Sequence, residues 1–215
     1  MGELALPLLL GLGAFFVLWY LLGNELMRRR ARRLALWCKR ATDPLGGAQT
    51  IQWLTLQSFR LEVQGPEAPF ASVALVGLTE SWDVPMIWLW NRLRGRRDLV
   101  LAQAALRRPP RWGLELYRPR GLLAGDARHL ARREGWDDAP EGELRLAAVG
   151  GPPRELARRL LAELGAERAR LVRLAVRRRD VQLSLALDLP DPAQLDPARF
   201  CDLLRRLARE ASREE

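Results

Sequence analysis

One histidine, two cysteines and a single lysine are all that the chain of 215 residues holds of three chemically versatile residue types. With His129 alone, a two-histidine zinc site cannot form, and a histidine-assisted nucleophile would have to rely on this one residue. Its setting, "GDARHLARREG", fits no catalytic spacing, and a surface or half-buried helix position is expected. Cys38 and Cys201 are too few for a disulfide framework and too far apart for a CxxC clamp, which agrees with a reducing cytoplasm. "GGPPRE" from Gly150 lacks the Lys-Ser/Thr of a phosphate loop, and its prolines remove backbone donors that such a loop needs. Asp137, Asp138, Glu141 and Glu143 gather without EF-hand alternation, so a solvated loop is expected there. No catalytic, cofactor-binding or metal-binding residue is assigned, and the expectation is a protein that is not an enzyme and has no cofactor or small-molecule substrate.

What the chain does have is one long apolar run and much arginine. Leu4 to Leu22, "LALPLLLGLGAFFVLWYLL", is 19 residues without a charge, which as a helix is roughly 28 Å and close to the thickness of a bilayer core. No basic residue precedes it and no small-x-small site follows it, so it reads as an uncleaved anchor. Arg28, Arg29, Arg30, Arg32, Arg33, Lys39 and Arg40 all come just after the run, which places the remainder of the chain in the cytoplasm and the N-terminus outside, in a plasma membrane or an endoplasmic-reticulum-type membrane. Trp19 and Tyr20 suit the interfacial belt. With Arg28, Arg29, Arg30, Arg32, Arg33 and Trp37 they form the expected membrane and anionic-lipid contact.

These juxtamembrane cations carry much of the net charge. From Ala41 onward 28 basic residues face 24 acidic ones, a net +4 of the whole chain's +9. Within that remainder the charge is uneven, −4 over Ala41 to Pro85 and +7 over Met86 to Gly125. The positive block follows the aromatic run "SWDVPMIWLWNRLRG", whose apolar bulk on consecutive positions exceeds what one helix face can bury. Trp88, Trp90, Arg92, Arg94, Arg96, Arg97, Arg107 and Arg108 are therefore candidates for docking to a partner, lipid headgroups or ribosomal RNA phosphates. A plainly solvated helix face is the competing reading.

The pattern divides the chain into an anchor over 1–23, a basic juxtamembrane helix and linker over 24–47, and a cytoplasmic domain over 48–215. The basic run should prolong the helix until Asp43-Pro44 and Gly46-Gly47 stop it. Phe59 to Gln64 and Ala71 to Leu78 read as strands joined through "GPEAP". Asp83 is a candidate cap for a helix with Pro85 in its first turn and Gly95 at its end. Asp98 to Arg108 is ambiguous, with alanine content and a possible Asp98 cap favouring helix over strand. Trp112 to Arg118 and Leu144 to Val149 alternate as strands, and Pro153 to Leu164 has a helical stripe ending at Gly165. Leu171 to Val176 and Val181 to Leu189 form a hairpin across "RRRD", with Val181, Leu183, Leu185, Leu187 and Leu189 on one face. Asp196-Pro197 then caps a helix carrying Phe200, Leu203, Leu204 and Leu207. The expected class is α+β, a transmembrane helix followed by a largely antiparallel sheet with helices packed on one face.

In this order of elements the chain resembles the calumin family, single-span endoplasmic reticulum proteins of the translocon-associated chaperone complex for multipass membrane proteins. The similarity runs from about Leu8 to Arg209. It is carried by an anchor before a basic helix with "RLALW", by "LRGRRDLVLAQAALRRP" before "WGLELYR", by "AAVG" leading into "RELARRLLAEL", and by "LSLALDLP" before an Asp-Pro-capped helix. The family's acidic lumenal region has no counterpart before Leu4, so calcium binding is not carried over. Its basic coiled-coil tail toward the ribosome is missing because the chain stops at Glu215. The resemblance implies a cytoplasmic domain beside an insertion channel, with translocon or insertase subunits and nascent membrane proteins as partners. A membrane-tethered scaffold for anionic lipid and one protein partner is the alternative, and a hydrolase using His129 a third.

Overall fold

A computed structural model describes residues 5–80, 82, 84–93, 97–179, 181–189 and 191–213. The first helix, α1 (Ala5–Thr42), is 38 residues long, and its burial changes character midway. Through Leu22 the side chains are almost all exposed. From Gly23 onward the buried positions Met27, Ala31, Leu34, Ala35, Cys38 and Ala41 recur with helical period. An apolar window in its first half is only 6% buried, which is unlike the core helix of a soluble domain, and the helix is long and apolar enough to cross a membrane. It gives way at Asp43 to a short 3-10 turn, and the left-handed Gly46 and Gly47 turn the chain into the sheet.

Nine strands of the described residues form one sheet: β1 (Ala48–Trp53), β2 (Ser58–Gln64), β3 (Phe70–Leu78), β4 (Leu99–Leu106), β5 (Leu114–Tyr117), β6 (Asp137–Glu141), β7 (Leu144–Ala148), β8 (Leu171–Val176) and β9 (Leu183–Asp188). Their order is β1-β2-β3-β4-β9-β8-β5-β7-β6, and every neighbouring pair is antiparallel. The helices are α2 (Pro85–Leu93), α3 (Ala124–Arg133), α4 (Gly151–Leu164) and α5 (Pro197–Ala211). The chain is thus α+β with an antiparallel sheet, as the alternating runs suggested.

The second half of α1 packs beside α5, and α5 beside α4, in one layer over the sheet. This layer and the inward residues of the strands, among them Leu61, Leu75, Ala102, Leu116, Leu146, Leu174 and Leu185, make the main core. Trp37 belongs to it. Its indole N–H donates to the Leu195 carbonyl at 2.7 Å and its ring meets Phe200 at 5.0 Å, so the membrane contact expected of Trp37 is corrected to a bond between α1 and α5. The helices are not confined to one face either. Ala124, Ala127 and Ala131 of α3 pack on Tyr117 and Ala147, which alternate with the core-facing Leu116, Leu146 and Ala148 and so point to the opposite side.

Two local expectations fail for tertiary reasons. Leu99–Leu106 is the strand β4, between β3 and β9, not a helix. Pairing on both edges and burial of Val100, Ala102, Ala104 and Leu106 in the core outweigh the weak helix preference of its alanines. Asp98 caps no helix, and its carboxylate accepts the Glu80 N–H at 2.8 Å. The acidic "loop" is the hairpin β6–β7, in which Asp138 accepts from the Tyr117 hydroxyl at 2.6 Å and from Arg145 at 2.8 Å. Leu4, Asp83 and Gly95, expected as boundaries or caps, and the last residue of the "RRRD" turn lie outside the described residues.

On the face that α3 covers, Glu115 is fully buried beneath two arginines. It accepts a forked pair of hydrogen bonds from Arg173 at 2.6 and 2.8 Å and another from Arg177 at 2.8 Å. This ties β5 to β8 with charge-assisted bonds shielded from water. Glu115→Ala should lower stability by about 3 kcal/mol, because it strands two guanidiniums, and Glu115→Gln by less. Thermal unfolding of the full chain in detergent, followed by circular dichroism, gives the comparison.

Candidate membrane-facing site

Where the exposed half of α1 ends, an aromatic clasp holds α2 against it. The Trp19 indole N–H donates to the Trp82 carbonyl at 2.9 Å, and the Trp82 N–H donates to the Met27 sulfur at 3.2 Å. The rings of Trp19, Trp82 and Trp88 lie within 4.8 to 6.3 Å of one another, and the Arg30 guanidinium sits 4.9 Å over the Trp82 ring. Gly23 permits the approach, since a Cβ there would stand 2.8 Å from the Trp82 carbonyl oxygen. Trp19, Gly23, Met27 and Arg30 recur at helical spacing, so the clasp uses one stripe of α1.

Held this way, α2 has no buried residue. Met86 is 72% exposed and Leu93 75%, and Val84, Ile87, Leu89 and Trp90 are exposed as well. A short helix with apolar side chains nearly all round is unfavourable in water. It lies level with Trp19 and Gly23, where the charge-free run of α1 gives out.

The candidate docking residues do not form one surface. Trp88 faces α1 within the clasp, and Trp90 faces outward. Arg92 approaches Glu80 at 3.8 Å, and Arg97 lines a cleft beneath α2. Arg107 and Arg108 follow β4, about 30 Å along the strand from Asp98. Arg107 is engaged in structure, donating to the carbonyls of Phe70 and Pro66 at 3.0 and 3.1 Å, whereas Arg108 is exposed. Arg94 and Arg96 lie outside the described residues. Of the juxtamembrane set, Tyr20, Arg28, Arg29, Arg32 and Arg33 are exposed, with Arg29 paired to Glu25 at 2.7 Å.

The cleft, about 890 Å³, opens between the α2 segment and the turn before α3 and is lined by Glu80, Asn91, Arg97, Arg118, Arg120 and Asp188 among others. Burial pushes the carboxyl pKa of Glu80 above its ordinary value, and the neighbouring Asp98 adds to this. Burial likewise raises Asp98 and Asp188, against the pull of nearby arginines. The Glu80 Oε1 atom is buried and accepts no hydrogen bond among the described residues. The cleft therefore presents mixed charge and unmet polar groups directly beneath an apolar helix. Sequence reasoning missed Glu80 and Gly23, whose importance comes from contacts with residues far along the chain.

Other potentially reactive groups stand apart from it. His129 is exposed on α3, and burial raises the thiol pKa of both Cys38 and Cys201. Among the described residues no group of three or more His, Cys, Asp or Glu is placed to hold a metal ion.

An acid whose pKa is raised by folding loses stability as pH climbs from its unfolded value through the raised one. Glu80→Gln should therefore raise the melting temperature at neutral pH, by about 2–4 °C for each kcal/mol relieved. The gain should vanish in acid, where Glu80 is protonated folded and unfolded alike. Melting curves of both proteins across pH measure it. No protein-family model and no curated protein matches the chain.

Proposed function

We propose that the protein is a single-pass membrane accessory factor that assists membrane-protein insertion beside a translocon or insertase. In this reading α1 crosses the bilayer with its N-terminus outside, and the α+β domain lies on the cytoplasmic surface. The observation that carries it is α2, an apolar helix clasped to α1 by Trp82 and Trp88 at the end of the charge-free run. An apolar flank directly above a polar cleft is what a membrane segment needs while passing from water to lipid, since its polar flanks and its apolar core would each find a match. The calumin-like order of elements supports the same reading, and the arginine-rich stretch after the run supports the orientation.

A membrane-tethered scaffold is the second reading, favoured by the arginines Arg28 and Arg32 exposed on α1 just past the run. A photo-crosslinking residue at Met86 in living cells separates the two. The expected adducts are translocon or insertase subunits and nascent membrane proteins, reduced several-fold by Gly23→Val, which forces Trp82 off α1. Adducts with lipid alone would leave the scaffold.

A further inference from the structure

The turn joining β1 to β2 is built against the usual rule for turns. Residues 54–57 are Leu-Thr-Leu-Gln, without glycine, proline, asparagine or aspartate. Thr55 holds it shut, its hydroxyl accepting the N–H groups of Gln57 and Ser58 at 3.1 Å each. The N–H groups of Leu54 and Thr55 donate to the Ser58 carbonyl at 3.0 and 3.1 Å. So ordered a tip could carry polar side chains at no cost, yet it presents Trp53, Leu54 and Leu56, each about half exposed. Between this tip and α1 lies a groove of about 360 Å³, lined by Trp53, Leu54, Thr55, Leu56, Arg28 and Arg32 and by no acidic residue. Among the described residues the nearest acid to act on Arg28 and Arg32 is Glu25, whose close ion pair is with Arg29 at 2.7 Å.

The groove's position around and along α1 is informative. At about 100° per residue, Arg28 is roughly 140° and Arg32 roughly 180° around the helix from Gly23. The tip's apolar side chains therefore meet α1 on a different face from the stripe that holds α2. Arg28 lies about 9 Å along the helix beyond Leu22, a distance its long side chain spans in part, reaching back toward the headgroup layer. A helix tilt of about 20° toward the tip, ordinary in size for a membrane span, would bring the apolar tip further toward the lipid.

We propose that the β1–β2 tip is a second membrane foot, and that Arg28 and Arg32 bind there the phosphate of an anionic phospholipid of the cytoplasmic leaflet while Trp53, Leu54 and Leu56 enter the interface. Two guanidiniums one helical turn apart match a phosphate's oxygens, and the aromatic and leucine side chains match the acyl region just above it. The domain then meets the membrane beside two faces of its own span, that of α2 and that of the tip. This rests on the reading that α1 crosses the bilayer.

The test uses the full chain reconstituted in vesicles, with an environment-sensitive fluorophore on Gln52→Cys, exposed beside the tip, in a C38A/C201A background. In phosphatidylcholine containing phosphatidylglycerol, the emission should shift to the blue and be quenched by doxyl-labelled lipid. Arg28→Gln with Arg32→Gln should weaken the dependence on phosphatidylglycerol on the order of tenfold, and Leu54→Ser with Leu56→Ser should abolish the shift. Emission at the value for water in all vesicles overturns the proposal. So does a shift that ignores phosphatidylglycerol and both arginines, or one that inorganic phosphate produces equally in phosphatidylcholine alone. Alkaline extraction of the same vesicles tests the span separately: protein retained in the membrane with a water-exposed tip refutes the foot and leaves the span standing.

Discussion

The architecture depends on one uninterrupted helix, exposed and apolar in its first half and packed against the sheet in its second. Nothing interrupts α1 between its exposed apolar half and the half that packs under α5 and against β2 and β3. Because a helix is stiff over this length, the apolar run cannot be placed without also placing the sheet. Gly23 sits at the join, and the groups around it settle what lies beside it: an indole–carbonyl bond, a sulfur acceptor, three stacked or tilted tryptophans and one guanidinium. Each is a modest interaction. Together they hold α2 where water would not favour it.

The packed layers are secured independently of that clasp. Trp37 binds α1 to α5 and its neighbours through the core, the Glu115 cluster ties β5 to β8 on the far face, and Arg206 reaches from α5 to Glu163 of α4 at 2.8 Å. The sheet and its packed helices are thus held by contacts other than those that place α2 and the β1–β2 tip. Such a division suits a protein that docks, where the scaffold stays rigid and the contact elements carry the exposed apolar groups.

Much of this was legible in the residue pattern, for reasons that differ by element. The long apolar N-terminal helix declares itself by its run without charge, α4, α5 and the β8–β9 hairpin each repeat one period over enough residues to do so, and Asp196 caps α5 as its position implied. β4 did not, because its alanines carry little shape information and only pairing with β3 and β9 makes them a strand. Trp37 was misread because a tryptophan among arginines beside a span resembles an interfacial anchor. Only the return of α5, more than 150 positions later, shows it to be buried. The arginine block looked continuous in the chain and is divided in space, since β4 carries Arg107 and Arg108 away from Arg92 and Arg97. The apolar tip did leave a signal in "WLTLQS", a turn without turn residues. It is informative only beside Arg28 and Arg32.

Depth in the bilayer is the quantity on which the account turns. A spin label at Leu93, measured in proteoliposomes by power saturation with oxygen and with a water-soluble nickel complex, reads it directly. Preferential oxygen access at Leu93, intermediate between labels at Leu12 and at Arg108, is the predicted result. Nickel access at Leu93 equal to that at Arg108 would contradict it, placing α2 in water and leaving its apolar surface for another partner.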